Sequence, residues 1–155
     1  MKILFICLGN ICRSPMAEFI CKDLLQKQGN AQMHVVESRA TSNEEICNGV
    51  GNPMYLPARR ELQRHGIACD GKRAIQLQKQ DYERYDLLIC MDTNNYRDAK
   101  RLFGGDPQHK LTMLMDYTGR GGSVADPWYT EDFETAYRDI YEGCTALLRF
   151  LQATE

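Results

Sequence analysis

Lys2-Ile3-Leu4-Phe5-Ile6-Cys7-Leu8-Gly9-Asn10-Ile11-Cys12-Arg13-Ser14-Pro15 runs from an apolar stretch of strand formers, through a short loop, into residues that open helices. The loop therefore joins a buried strand to a helix N-terminus. First-turn N–H groups there lack intrahelical partners and the peptide dipoles leave partial positive charge, so an anion is the natural occupant. Ser14 is a good N-cap and Pro15 suits the first helical position. Gly9 and Asn10 are the residues best able to take positive φ, which turns loop amides inward around an oxyanion.

Arg13 adds a planar fork of donors matching two oxygens of a phosphate. Cys7 falls at the base of the cup, where Arg13, the helix end and the inward amides favour thiolate over thiol. Cysteine is often only a small buried hydrophobe, and an arginine six residues later arises easily by chance. The strand-loop-helix setting is what makes the pair a phosphate cup with a nucleophile beneath it.

The 155 residues suit one domain, 1–155, with a substantial core. A net charge of -2 and scattered basic residues give no footprint for nucleic acid. No apolar stretch is long enough to span a membrane and no secretory h-region is evident, so a cytoplasmic location is expected. Seven cysteines (7, 12, 21, 47, 69, 90 and 144) and three histidines form no zinc pattern, so reduced thiols, no metal and no cofactor are expected. Oligomeric state has no sequence signal.

The rest of the chain alternates strands and helices. Ala17, Ile20, Cys21, Leu24 and Leu25 recur at helical spacing, ending near Gly29-Asn30, and 33–37 reads as a second strand. A loop rich in Asn, Gly and Pro is expected over 38–57, then a helix from Ala58 to His65 closed by Gly66. Residues 85–91 read as a third strand, Thr93 as N-cap of a helix to Phe103, and 111–114 as a fourth strand. A long amphipathic helix follows, its apolar face including Phe133, Ala136, Tyr137, Ile140, Tyr141, Cys144, Leu147, Leu148 and Leu151. Right-handed crossovers then give a doubly wound α/β fold, whose ligand crevice lies beyond the carboxyl ends of the strands, where Cys7 stands.

The run Cys7 to Pro15, with Cys90-Met91-Asp92 and Asp126-Pro127-Trp128-Tyr129 in order behind it, resembles the low-molecular-weight protein tyrosine phosphatases over nearly the whole chain. The resemblance implies a four-stranded parallel sheet of order 2-1-3-4 and a tyrosine-phosphorylated protein as substrate. It implies Cys7 as nucleophile, Arg13 as phosphate and transition-state ligand, and Asp126 as general acid and then base. It also gives Leu8, Gly9, Asn10, Ile11, Cys12 and Ser14 as the phosphate-binding loop, Ser38 as its support, and Cys12 as reversible disulfide partner of Cys7.

These roles are chemically coherent. Thiolate attack on a phosphate ester pushes charge onto the leaving oxygen, which an acid must protonate. The glycines at 119, 121 and 122 suit a movable loop ahead of Asp126. An Asp-Pro pair is usually just a turn, and Trp128 and Tyr129 can be core aromatics; beside an acid they read instead as walls for an aryl group. The chain departs from the pattern at Lys72, where many members have histidine, at Arg39, where a small residue is usual, at Glu44 and Glu45 on the rim, and in a longer 43–52 segment. These departures bear on rim specificity.

Three alternatives use the same loop. An arginine phosphatase tends to carry threonine where Ile11 stands, and a thioredoxin-coupled arsenate reductase needs two further placed thiols, of which Cys90 is one candidate. A noncatalytic phosphoprotein-binding module needs neither Cys7 nor Asp126.

Overall fold

The structure, a computed structural model, describes residues 1–154. Strand β1 spans Lys2–Cys7, β2 Val35–Ala40, β3 Ile46–Cys47, β4 Val50–Gly51, β5 Leu87–Cys90 and β6 Leu111–Met113. Helix α1 spans Arg13–Lys27, α2 Leu56–Arg64, α3 Asp81–Arg84, α4 Thr93–Phe103, α5 Pro127–Thr130 and α6 Phe133–Ala153, with a 3-10 turn at Leu114–Thr118. Four strands form a parallel sheet of order β2-β1-β5-β6. Counting only its members, this is the expected order 2-1-3-4.

Burial follows the pleat. Ile3, Phe5 and Cys7 of β1 face the core shared with α1, α2 and α6, while Leu4 and Ile6 face the smaller core beneath α3 and α4. Helices cover both faces, so a central strand reads as continuously apolar rather than alternating. Each fully buried Leu, Ile or Phe contributes on the order of 2 kcal/mol.

Several boundaries differ from the sequence reading for identifiable reasons. β2 begins at Val35 and continues through Ser38 to Ala40, because Val36, Ser38 and Ala40 alternate inward beside β1. Ser38 is thus a strand residue paired with Phe5. The 38–57 loop also contains a small antiparallel pair, β3 with β4. α2 starts at Leu56, taking Pro57 into its first turn, where a missing N–H costs nothing. The third strand is confined to Leu87–Cys90, since Asp86 instead accepts the Lys2 N–H at 2.8 Å.

Asp92, not Thr93, caps α4, accepting the Asn95 N–H at 2.8 Å. Tyr141, assigned to the apolar face of α6, is 44% exposed and stacks on Tyr137. Gly66 does terminate its helix in the left-handed region, at φ 74°.

Candidate active site

The strand-loop-helix segment curls around the sulfur of Cys7. The N–H groups of Asn10 and Ser14 point at Sγ from 3.3 and 3.4 Å, and Ser14 Oγ lies 2.9 Å away. Asn10 takes the positive φ (58°) that turns its amide inward. Gly9 does not, contrary to expectation; its bareness instead admits the Glu45 side chain, whose Cγ is 3.2 Å from where a Cβ would stand.

Ser14 is not the helix cap. The N-cap is Cys12, with no side-chain bond, because the Ser14 hydroxyl is committed elsewhere. Asn10 Nδ2 donates to Ser14 Oγ at 2.7 Å and to Ser38 Oγ at 2.9 Å, while its Oδ1 accepts the Ile75 N–H at 3.0 Å. Ser38 Oγ donates onward to Glu18 Oε1 at 2.6 Å.

Proton order follows from this chain. An ionised carboxylate only accepts, so Ser38 must donate to Glu18 and accept from Asn10. Ser14 likewise accepts from Asn10, leaving its own hydrogen for the Cys7 sulfur. Every member is buried, so the network is held in one arrangement.

Glu18 is itself paired with Lys22 at 2.7 Å and with Lys72 at 3.6 Å, and Lys72 donates to Ser38 O at 3.2 Å. Burial lowers the Lys72 pKa, and Glu18 opposes that shift. The lysine found in place of the family histidine thus stands behind the loop. Arg39 also lies there, bonded to Ser38 O, Glu37 and Tyr85 Oη. Of the sequence departures, only Glu44 and Glu45 reach the rim.

Arg13, 3% exposed, is braced by Asp92 Oδ2 at 2.7 Å and Val124 O at 2.9 Å, and its Nη2 reaches Asp126 Oδ2 at 3.5 Å. Burial works against its charge, but Cys7, Asp92 and Asp126 together hold its pKa above the ordinary value. Asp126 caps α5 by accepting the Trp128 N–H at 3.0 Å, which fixes its carboxylate over the cup.

The result is a cavity of about 350 Å³ lined by residues 7–13, Glu44, Glu45, Asp126, Trp128 and Tyr129. All the sequence-selected site residues line it except Ser14 and Ser38, which sit behind its floor. Cys12 is free and 6% exposed; burial, then Cys7 and Asp126, push its thiol far up. It is poorly suited to nucleophilic work.

Sequence reading missed Asp92 and Glu18. Asp92 had a signal, an acid at the carboxyl end of a strand and just before a helix. Glu18 had a weaker one, a carboxylate one turn after Ser14 on the apolar face of α1.

The family model described as low molecular weight phosphotyrosine protein phosphatase matches residues 2–155. The chain belongs to that family. It is 36% identical to the low molecular weight protein-tyrosine-phosphatase YfkJ of Bacillus subtilis, over 98% of this chain and 96% of that protein. The crystal structure of YfkJ matches with a TM-score of 0.94 at 35% identity, covering 100% of this chain and 96% of the other. Identity to the human low molecular weight phosphotyrosine protein phosphatase is also 36%, over 95% of this chain and 93% of the relative. A solved Drosophila arginine phosphatase matches with a TM-score of 0.87 at 30% identity, over 97% and 98% of the two chains.

Family membership makes the chain a phosphoric monoester hydrolase acting on phosphoproteins. Among the described residues, no helix is long and apolar enough to cross a membrane.

Proposed function

We propose that the chain hydrolyses phosphotyrosine and other aryl phosphate monoesters through a phosphocysteine at Cys7. The observation carrying this reading is that Cys7 Sγ, with donors converging on it, shares one cavity with Arg13 and Asp126. The thiolate attacks phosphorus in line with the ester oxygen, and the P–O bond breaks as P–S forms. Arg13 and the loop amides hold the equatorial oxygens, and Asp126 protonates the departing phenolate. Water deprotonated by Asp126 then attacks phosphorus, releasing phosphate and restoring the thiolate.

Ile11, Trp128 and Tyr129 supply apolar walls beside the cup, which supports an aryl group. A second reading, phosphoarginine, is favoured by one observation: Glu44 and Glu45 face the mouth, where carboxylates attract a guanidinium. Nothing favours an arsenate relay through Cys90, which is fully buried in the core on the opposite face of the sheet from Cys7. The reversible Cys7–Cys12 disulfide belongs to the same reading, both thiols being free on the cavity wall.

Peptides carrying phosphotyrosine, phosphoserine or phosphoarginine, assayed with chelator present, test the substrate. The expected order has phosphotyrosine first by kcat/KM; preference for phosphoarginine, lost in the Glu44→Gln, Glu45→Gln double variant, would establish the second reading instead.

A further inference from the structure

Tyr55 connects the two halves of the site. Its backbone N–H donates to Ile11 O in the phosphate loop at 2.9 Å, anchoring the residue to the cup. Its ring meets the Trp128 ring with centroids 4.8 Å apart and tilted by 51°, and lies 5.9 Å from Phe133 at the start of α6. Trp128 in turn donates its N–H to Asp126 Oδ1 at 3.0 Å. A short chain of contacts thus runs from the cup wall to the carboxylate above it.

The acid loop has a separate anchor on its other side. Val124 donates its N–H to Met91 O at 2.8 Å and accepts from Arg13 through its own carbonyl at 2.9 Å. Beyond Asp126, Pro127 is buried, whereas Trp128 is 50% exposed and Tyr129 77% exposed. Half of Trp128 is therefore open to solvent, and the aromatic ring it packs against outside the cavity is Tyr55. Trp128 lines the cavity, whereas Tyr55 does not.

We infer that Tyr55 is a positioning residue for proton transfer: its ring braces Trp128, so that α5 holds the Asp126 carboxylate at a fixed height over the phosphate loop. This rests on Asp126 acting as the general acid. Aromatic rings in tilted contact restrain each other without a hydrogen bond, so Phe can replace Tyr55 and an aliphatic residue cannot. Small displacement of an acid from its leaving atom is costly, because proton transfer requires hydrogen-bond reach.

The test compares Tyr55→Ala, Tyr55→Leu, Tyr55→Phe and Asp126→Ala on a series of aryl phosphates of graded leaving-group quality. Under single-turnover conditions, Tyr55→Ala and Tyr55→Leu should slow phosphoryl transfer from phenyl phosphate about tenfold and from p-nitrophenyl phosphate less than about twofold. Tyr55→Phe should behave as wild type. Trp128 is the sole tryptophan, so its fluorescence reports the contact directly: emission should shift to the red in Tyr55→Ala and not in Tyr55→Phe.

A merely structural role would lower the melting temperature and slow both substrates alike, and that result overturns the inference. If Asp126→Ala shows the leaving-group dependence and Tyr55→Ala does not, the bracing role fails and the acid assignment stands. If Asp126→Ala itself shows none, the acid assignment fails and the inference falls with it.

Discussion

Glu18→Gln removes the negative charge of Glu18, buried behind the phosphate loop, while keeping the side chain's shape. Glu18 is 7% exposed and Lys72 8%, the two lying 3.6 Å apart, with half-exposed Lys22 on the other oxygen at 2.7 Å. Removing one partner of a buried pair costs about 3–5 kcal/mol, since the other charge is left uncompensated. Lys72 keeps its bond to Ser38 O and Lys22 can turn to water, which places the expected loss at the lower end, about 3 kcal/mol. For a chain of this size each kcal/mol is worth about 2–4 °C, so the melting temperature should fall by about 6–12 °C.

The pH dependence has a definite sign. Burial sets the folded-state pKa of Lys72 below its unfolded value, so the unfolded chain binds the proton more tightly. The penalty is full while pH lies below the folded value and is relieved as pH rises through it. The Glu18→Gln deficit should therefore shrink toward alkaline pH. Adding Lys72→Met, which removes the stranded charge, should recover most of the loss.

Activity should respond far less. Asn10 Nδ2 only donates and its Oδ1 is held by the Ile75 N–H, so a glutamine that donates to Ser38 leaves the Ser14 hydrogen on the Cys7 sulfur. Well below the melting range, kcat/KM should therefore stay within about threefold of wild type, or about 0.7 kcal/mol. Thermal unfolding by circular dichroism across pH, with parallel kinetics, checks both effects. A melting temperature within about 2 °C of wild type, or a double variant less stable than Glu18→Gln alone, would refute the charge-pair reasoning.

Away from the site, Asp106 accepts the Tyr82 O–H at 2.6 Å and the N–H groups of Lys110 and Leu111 at 2.8 and 3.1 Å. Burial alone would raise its pKa, but these bonds outweigh it and the net shift is down. Asp106→Asn should cost about 2 kcal/mol near neutral pH by denaturant titration, with kcat/KM unchanged. That contribution is present above the unfolded value of about 3.9 and is lost as pH falls through the folded one, so the two proteins should converge in acid. A gap of constant size would count against the assignment. Gly143→Ala would put a Cβ 2.5 Å from Leu114 Cγ, so overpacking of about 1–3 kcal/mol should exceed any helix-propensity gain. Leu114→Ala should couple favourably with it; a single variant as stable as wild type would show that this contact yields freely.

The sheet was legible because its strands are short apolar runs separated by helical periodicity, and because Cys7 to Arg13 marks the carboxyl end of the first. Ser38 was harder to place: polar residues on β2 look like loop until pairing with Phe5 turns Ser38 inward. Ser14 misled for a related reason. Its propensity for capping is real, yet Asn10 and Cys7 compete for the same hydroxyl and win. Lys72 and Arg39 looked like rim changes because sequence does not say which side of the loop a basic residue approaches.

Asp126 was found through its proline and aromatic neighbours, whereas Asp92 and Glu18 act through Arg13 and Ser38, contacts spanning 79 and 20 residues. Such partners become visible only when the sheet brings β1, β2 and β5 side by side. The same holds for Tyr55, whose ring meets a tryptophan more than seventy positions away.

The covalent intermediate can be trapped directly. Rapid acid quench of the enzyme turning over p-nitrophenyl phosphate, followed by peptide mass spectrometry, should find a phosphoryl group on Cys7 and none on Cys12, and Cys7→Ser should release no p-nitrophenol above background. Full activity in Cys7→Ser, or phosphate carried on any other residue, would contradict the mechanism.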